Sequence, residues 1–120
     1  MDAALHNAVS GLRASGKRLE VSAANVVSSR STGYTPSRVI QTAQPGGGTR
    51  ADAIPVNPPT TPSYEPDNPA ADDAGMVRRP NVALEAELVE QTLARRAFEA
   101  NLKVVETADR VTRTTLDILA

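Results

Sequence analysis

All nine prolines of this 120-residue chain fall between Pro36 and Pro80, so neither terminal segment contains one. Proline lacks a backbone N–H and its ring clashes with the preceding helical turn, which excludes it from helix interiors. Proline-free chain at both ends and proline-dense chain between them predict terminal helices joined by a non-helical middle. The division expected is a coiled-coil helix within residues 1–30, an extended linker over 31–79 and a second coiled-coil helix within 80–120.

Heptad spacing marks the first helix. Leu5, Leu12, Leu19 and Val26 recur every seven residues, with Val9, Gly16 and Ala23 interleaved. Such a spacing gives an apolar seam with small neighbours, suited to close contact with another helix. The second helix is expected to start at Pro80-Asn81, with Asn81 as its cap, and to run to about Leu119. Its apolar residues form two flanks instead of one. Leu88, Phe98, Leu102, Val105 and Leu116, with Leu84 and Leu119, lie along one; Leu93, Ala97, Ala100, Val104, Val111 and Ile118 lie roughly opposite. The first flank is assigned, together with Leu5, Leu12, Leu19 and Val26, to pairing of the two helices. The second is assigned to contacts with neighbouring subunits, because one partner helix covers one seam only.

The middle segment reads as a turn at Ser31-Thr32-Gly33-Tyr34, one strand at residues 37–42, a flexible Pro45-Gly46-Gly47-Gly48 and a short strand at Met76-Val77-Arg78. Residues 41–63 hold few large apolar side chains and are expected to face away from the helices. None of this carries chemistry. His6 is the only histidine and there is no cysteine, which leaves no nucleophilic triad and no zinc site. Asp67, Asp72 and Asp73 lack the alternating ligands and closing glutamate of a calcium loop, and read as a solvated turn. Gly46-Gly47-Gly48 is followed by no Lys-Ser/Thr and is no phosphate cradle. No cofactor, metal or small-molecule substrate is expected, and no enzyme activity.

Composition points to partners. Tyr34, Tyr64 and Phe98 are the only aromatic residues, there is no tryptophan, and much of the apolar content is alanine. A small domain with so little to bury is marginal alone, and with no disulfide or metal its stability must come from other chains. The net charge of −1 gives no reason to expect nucleic acid or an anionic membrane. It is unevenly spread, however: residues 1–50 carry +4, residues 51–80 carry −3 and residues 81–120 carry −2. A basic start and an acidic remainder are able to pair within a chain or between copies. No apolar run is long enough for a membrane span, and the N-terminus does not look like a cleavable secretory signal.

Three stretches carry a family resemblance. Ser10-Gly11-Leu12-Arg13-Ala14, with Arg18-Leu19-Glu20-Val21, Ala24-Asn25 and Ser31-Thr32-Gly33-Tyr34, looks like the N-terminal signature of rod and hook proteins. Tyr64-Glu65-Pro66-Asp67-Asn68-Pro69 and Gly75-Met76-Val77-Arg78-Arg79-Pro80-Asn81-Val82 are similar to the segment before the last helix of proximal rod proteins of the FlgC type. Arg96-Ala97-Phe98-Glu99-Ala100-Asn101-Leu102 and Thr115-Leu116-Asp117-Ile118-Leu119 look like that helix. The chain thus resembles the flagellar axial proteins. That resemblance implies a mainly α fold in which two long terminal helices pack antiparallel in coiled-coil fashion, joined by an irregular Pro/Gly-rich segment with at most a short β-hairpin. It further implies a structural subunit of the basal-body rod, polymerised through its terminal helices into a hollow shaft that spans the periplasm. The partners implied are other copies of the chain, other rod and axial proteins, and the flagellar export apparatus, which would export it without a cleavable signal. The alternative reading is a soluble helical adaptor that binds one partner helix.

Overall fold

The computed structural model describes residues 2–120. Six elements follow one another: α1 (Asp2–Val27), β1 (Ser37–Ala43), β2 (Thr49–Pro55), β3 (Thr60–Tyr64), β4 (Met76–Pro80) and α2 (Leu84–Leu119). The helices are terminal, as the proline distribution predicts. At ~1.5 Å per residue they are about 39 and 54 Å long. They run antiparallel, because Gly11 of α1 lies against Asn101 of α2 while Asn25, near the end of α1, reaches Glu87 near the start of α2.

The expected fold class needs correcting between the helices. In place of an irregular segment with at most one hairpin there are two antiparallel sheets of two strands each, β1–β2 and β3–β4. In a two-stranded ribbon both strands are edges, and an edge accepts proline wherever its missing N–H would have faced outward. Pro55 and Pro80 end their strands, and Pro62 pairs with Arg78 inside β3–β4. Proline density therefore did not forbid strands here. The β1–β2 turn depends on Gly46, Gly47 and Gly48, all at positive φ, which side-chain-bearing residues adopt only with strain.

Two further expectations change. The second helix does not start at an Asn81 cap. Pro80 still belongs to β4, Ala83 is extended and without a side-chain cap bond, and Asn81 Nδ2 donates to the Pro58 carbonyl at 2.9 Å. Nor do residues 41–63 all face away from the helices. The β1–β2 hairpin lies along α1: the Thr49 N–H donates to Ser10 Oγ at 3.1 Å, and His6 Nε2 sits 3.3 Å from the Gly47 carbonyl oxygen. Backbone polar groups make this contact, so a lack of apolar side chains does not prevent it. The β3–β4 sheet continues past the C-terminal end of α1, where Arg79 Nη1 donates to the Arg30 carbonyl at 2.8 Å.

The result is a rod. Its principal extents are 78 × 25 × 16 Å and its radius of gyration is 20.6 Å, where a compact domain of this length has about 13.6 Å.

Candidate assembly surface

Small and polar side chains form the seam between the helices. On α1, Ala8, Ser15 and Ser22 are buried at heptad spacing, with Gly11, Arg18 and Asn25 three residues after each. On α2 the matching row is Glu87, Ala94, Asn101 and Ala108, of which both alanines are buried. A Cβ on Gly11 would come within 2.6 Å of the Asn101 side chain, so glycine is what permits the approach there. Arg18 crosses the seam to Glu90 in a two-pronged ion pair, Nε to Oε1 at 2.6 Å and Nη2 to Oε2 at 3.1 Å. The hydrogen bond to Glu90 holds the guanidinium above its ordinary pKa, against the opposing effect of burial.

Asn25 ends the seam as a polar node and is only 2% exposed. Its Nδ2 donates to the Ser37 carbonyl at 2.7 Å and to Glu87 Oε1 at 3.1 Å; its Oδ1 accepts from Tyr34 O–H at 2.9 Å and from the Ser37 N–H at 3.1 Å. One side chain thus joins α1, the following turn, the start of β1 and α2. Burial and the nearby Glu87 charge push the Tyr34 hydroxyl above its ordinary pKa. A second polar clamp joins β4 to the turn after β3. Arg79 donates to both carboxylate oxygens of Glu65, at 2.9 and 2.6 Å, and Asn68 Nδ2 donates to Oε2 at 2.9 Å. These bonds lower the Glu65 pKa to about 2.

The large apolar side chains lie beside the seam. Leu5, Leu12, Leu19 and Val26 each follow a seam position by one residue, so they line its edge, Leu5 exposed and the others half-buried. Leu19 shares a shallow groove with Leu88 and Gln91 of α2. Leu88, Phe98 and Leu102 are exposed on this side and Val105 is half-buried. On the other side of the seam, Ala97 lines a cleft with Gly11 and Ser15, while Val104 and Val111 line an apolar groove with Ala4 and Ala108. Leu93 and Ala100 are exposed. Leu116, Ile118 and Leu119, at 61%, 78% and 79% exposed, lie in the last turns of α2, which at 36 residues outruns the 26 of α1. That overhang contains Thr112, Thr114 and Thr115, β-branched residues that weaken an unsupported helix.

What is left in contact with water is excessive for a monomer. The chain exposes 8260 Å², where a folded monomer of 12.6 kDa exposes about 6200 Å². The surplus of about 2000 Å² is the size of a stable protein–protein interface. Among the described residues no helix is long and apolar enough to cross a membrane, and no group of three or more His, Cys, Asp or Glu is placed to hold a metal ion.

Comparison with known proteins agrees with the residues that suggested a family. The model of the flagellar basal body rod FlgEFG protein C-terminal region matches residues 73–118. The flagellar basal-body rod protein FlgC of Yersinia enterocolitica is 37% identical over 121 aligned positions, covering 91% of this chain and 90% of that protein. FlgC of Agrobacterium fabrum is 31% identical over 139 positions, covering 99% of this chain and 95% of that protein. FlgC of Aquifex aeolicus matches over a shorter stretch, 50% identical over 40 positions that cover 33% of this chain and 30% of that protein. With matches of this identity running almost end to end, the chain belongs to the FlgC family of flagellar basal-body rod proteins.

Proposed function

We propose that this chain is a structural subunit of the flagellar basal-body rod that polymerises through its terminal helices into the hollow shaft. The observation that carries the reading is the surface surplus of an elongated chain whose large apolar side chains flank its helix seam instead of filling it. Each flank has a task in a tube. The side with Leu5, Leu12, Leu19, Leu88, Phe98 and Leu102 packs against one neighbour. The side with Leu93, Ala100, Val104 and Val111, together with the overhang carrying Leu116 and Ile118, packs against others. Burying both removes apolar surface from water at about 25 cal/mol per Å² and orders the overhang, where helix propensity is weakest. Other copies of the chain and other axial proteins are the partners, and the flagellar export apparatus delivers it beyond the inner membrane. Two separate flanks favour a tube over an adaptor that holds one partner helix.

The test is to image basal bodies from cells producing a tagged chain alongside Leu102→Asp and Leu116→Asp forms. The tagged chain is expected in the rod. Both variants should be exported with an unchanged monomer circular dichroism spectrum yet be absent from the rod. Basal bodies that lack the tagged wild type, or that incorporate both variants normally, would overturn the proposal.

A further inference from the structure

The β1–β2 hairpin and α1 enclose an open cleft of about 480 Å³, lined by His6, Arg13, Lys17 and Arg50 among small and polar residues and by no Asp or Glu. Arg50 is engaged by Asp52 at 2.9 Å. Arg13 and Lys17 make no ion pair among the described residues, nor do Asp67, Asp72 and Asp73, which stand exposed on the turn between β3 and β4. That turn is internally built. Asp72 Oδ1 accepts from the N–H groups of Ala74 and Met76 at 3.0 and 2.9 Å, and the Gly75 N–H donates to the Asp72 carbonyl at 2.9 Å. Beside it Tyr64 is 70% exposed, an aromatic of the kind that anchors interfaces.

We propose that the acidic Asp67–Asp73 turn of one copy, with Tyr64, seats in the Arg13/Lys17 cleft of a second copy. Charge complementarity selects the occupant: Arg13 and Lys17 gather at one concave site with no carboxylate partner, and the turn gathers Asp67, Asp72 and Asp73 with no cationic one. The two cannot meet within one molecule. The cleft opens beside the first half of α1, whereas β3–β4 is tied to Arg30 beyond the end of that helix. Lys17 to Val27 alone spans ~15 Å of helix, and the 78 Å long axis exceeds the length of α2 by about 24 Å, the room that β3–β4 takes up. A contact between two different surfaces is heterologous, and such a contact continues from copy to copy into an open helical array unless it closes into a ring. Within the folded chain both sides are held in place, the turn by the Asp72 side chain and its backbone bonds and the cleft by the Ser10–Thr49 bond, so the contact itself orders little more. This inference rests on the rod reading only in identifying the partner as a second copy.

The chain has no cysteine, so disulfide trapping is clean. Lys17→Cys and Asp73→Cys full-length proteins, mixed and oxidised, should form the heterodimer about tenfold faster than either homodimer, and 0.5 M salt should abolish the preference. In sedimentation at low salt, Arg13→Glu/Lys17→Glu and Asp67→Lys/Asp73→Lys should each weaken self-association, and mixing the two should restore it. Equal trapping of homo- and heterodimers, or charge reversals that leave self-association unchanged, would overturn the contact, as would failure of the mixture to recover. None of these results bears on whether the tagged wild type is found in basal bodies, so failure of this contact and failure of the rod reading remain distinguishable.

Discussion

Replacing Asn25 tests how a rod this thin holds its parts together. In Asn25→Ala the Ser37 N–H and carbonyl lose their side-chain partner, as do Tyr34 O–H and Glu87. An unsatisfied buried polar group costs about 1–3 kcal/mol. Tyr34 and Glu87 are only half-buried, so water can replace part of what they lose, and a total of about 2–4 kcal/mol is expected. Asn25→Asp is more discriminating. It keeps the acceptor facing Tyr34 and the Ser37 N–H but puts a second oxygen where Nδ2 stood, 2.7 Å from a carbonyl and 3.1 Å from Glu87 Oε1. Two carboxylates at that separation repel by roughly 5 kcal/mol at an effective dielectric near 20. Protonating the new carboxyl at pH 7 would instead cost about 4 kcal/mol. At pH 7 the wild type should therefore be the most stable, Asn25→Ala the next and Asn25→Asp the least, and Asn25→Asp should recover toward Asn25→Ala as pH falls to 4. Urea unfolding followed by circular dichroism at 222 nm, in trimethylamine oxide to populate the folded chain, measures both. If Asn25→Asp were as stable as the wild type at pH 7, or if Asn25→Ala cost less than about 0.5 kcal/mol, the node would not be what joins the helices to the sheet.

The Glu65–Arg79 clamp sets a pH window. Because the folded-state pKa is lowered from 4.5 to about 2, its contribution is present above 4.5 and lost as pH falls through 2; hydrogen exchange at β4 should accelerate over that interval, and Glu65→Gln should remove the dependence. Gly11→Leu should force the helices apart at Asn101, costing on the order of 1–3 kcal/mol by overpacking, whereas Gly16→Ala, with nothing within 4 Å of the added Cβ, should be neutral or stabilise slightly. The isolated chain at micromolar concentration should show less helix by circular dichroism than its 26- and 36-residue helices contain; full helicity in a proven monomer would refute the dependence on neighbours.

The features legible in the bare chain were local ones. Confining proline to residues 36–80 placed the helices at the termini, because the exclusion acts within a single turn, and the shortage of aromatic residues pointed to partners. Rod-protein kinship was legible in the spaced Pro, Asp and Gly residues of 64–82, which no helix period dictates. Tertiary structure decided which heptad row faces inward. Leu5, Leu12 and Leu19 share a seven-residue period with Gly11, Arg18 and Asn25 one position away, and periodicity cannot choose between rows so close together. Reading by size put the leucines inside. The close approach of two helices instead admits glycine, alanine and serine, and leaves the leucines at the edge. The strand pairings were only half legible: residues 37–42 and 76–78 read as strands, but the partners Thr49–Pro55 and Thr60–Tyr64 did not, since proline at a ribbon's edge leaves no local mark of a strand. The Asn25 node depends on both: its four bonds exist only once α1, β1 and α2 have been brought together.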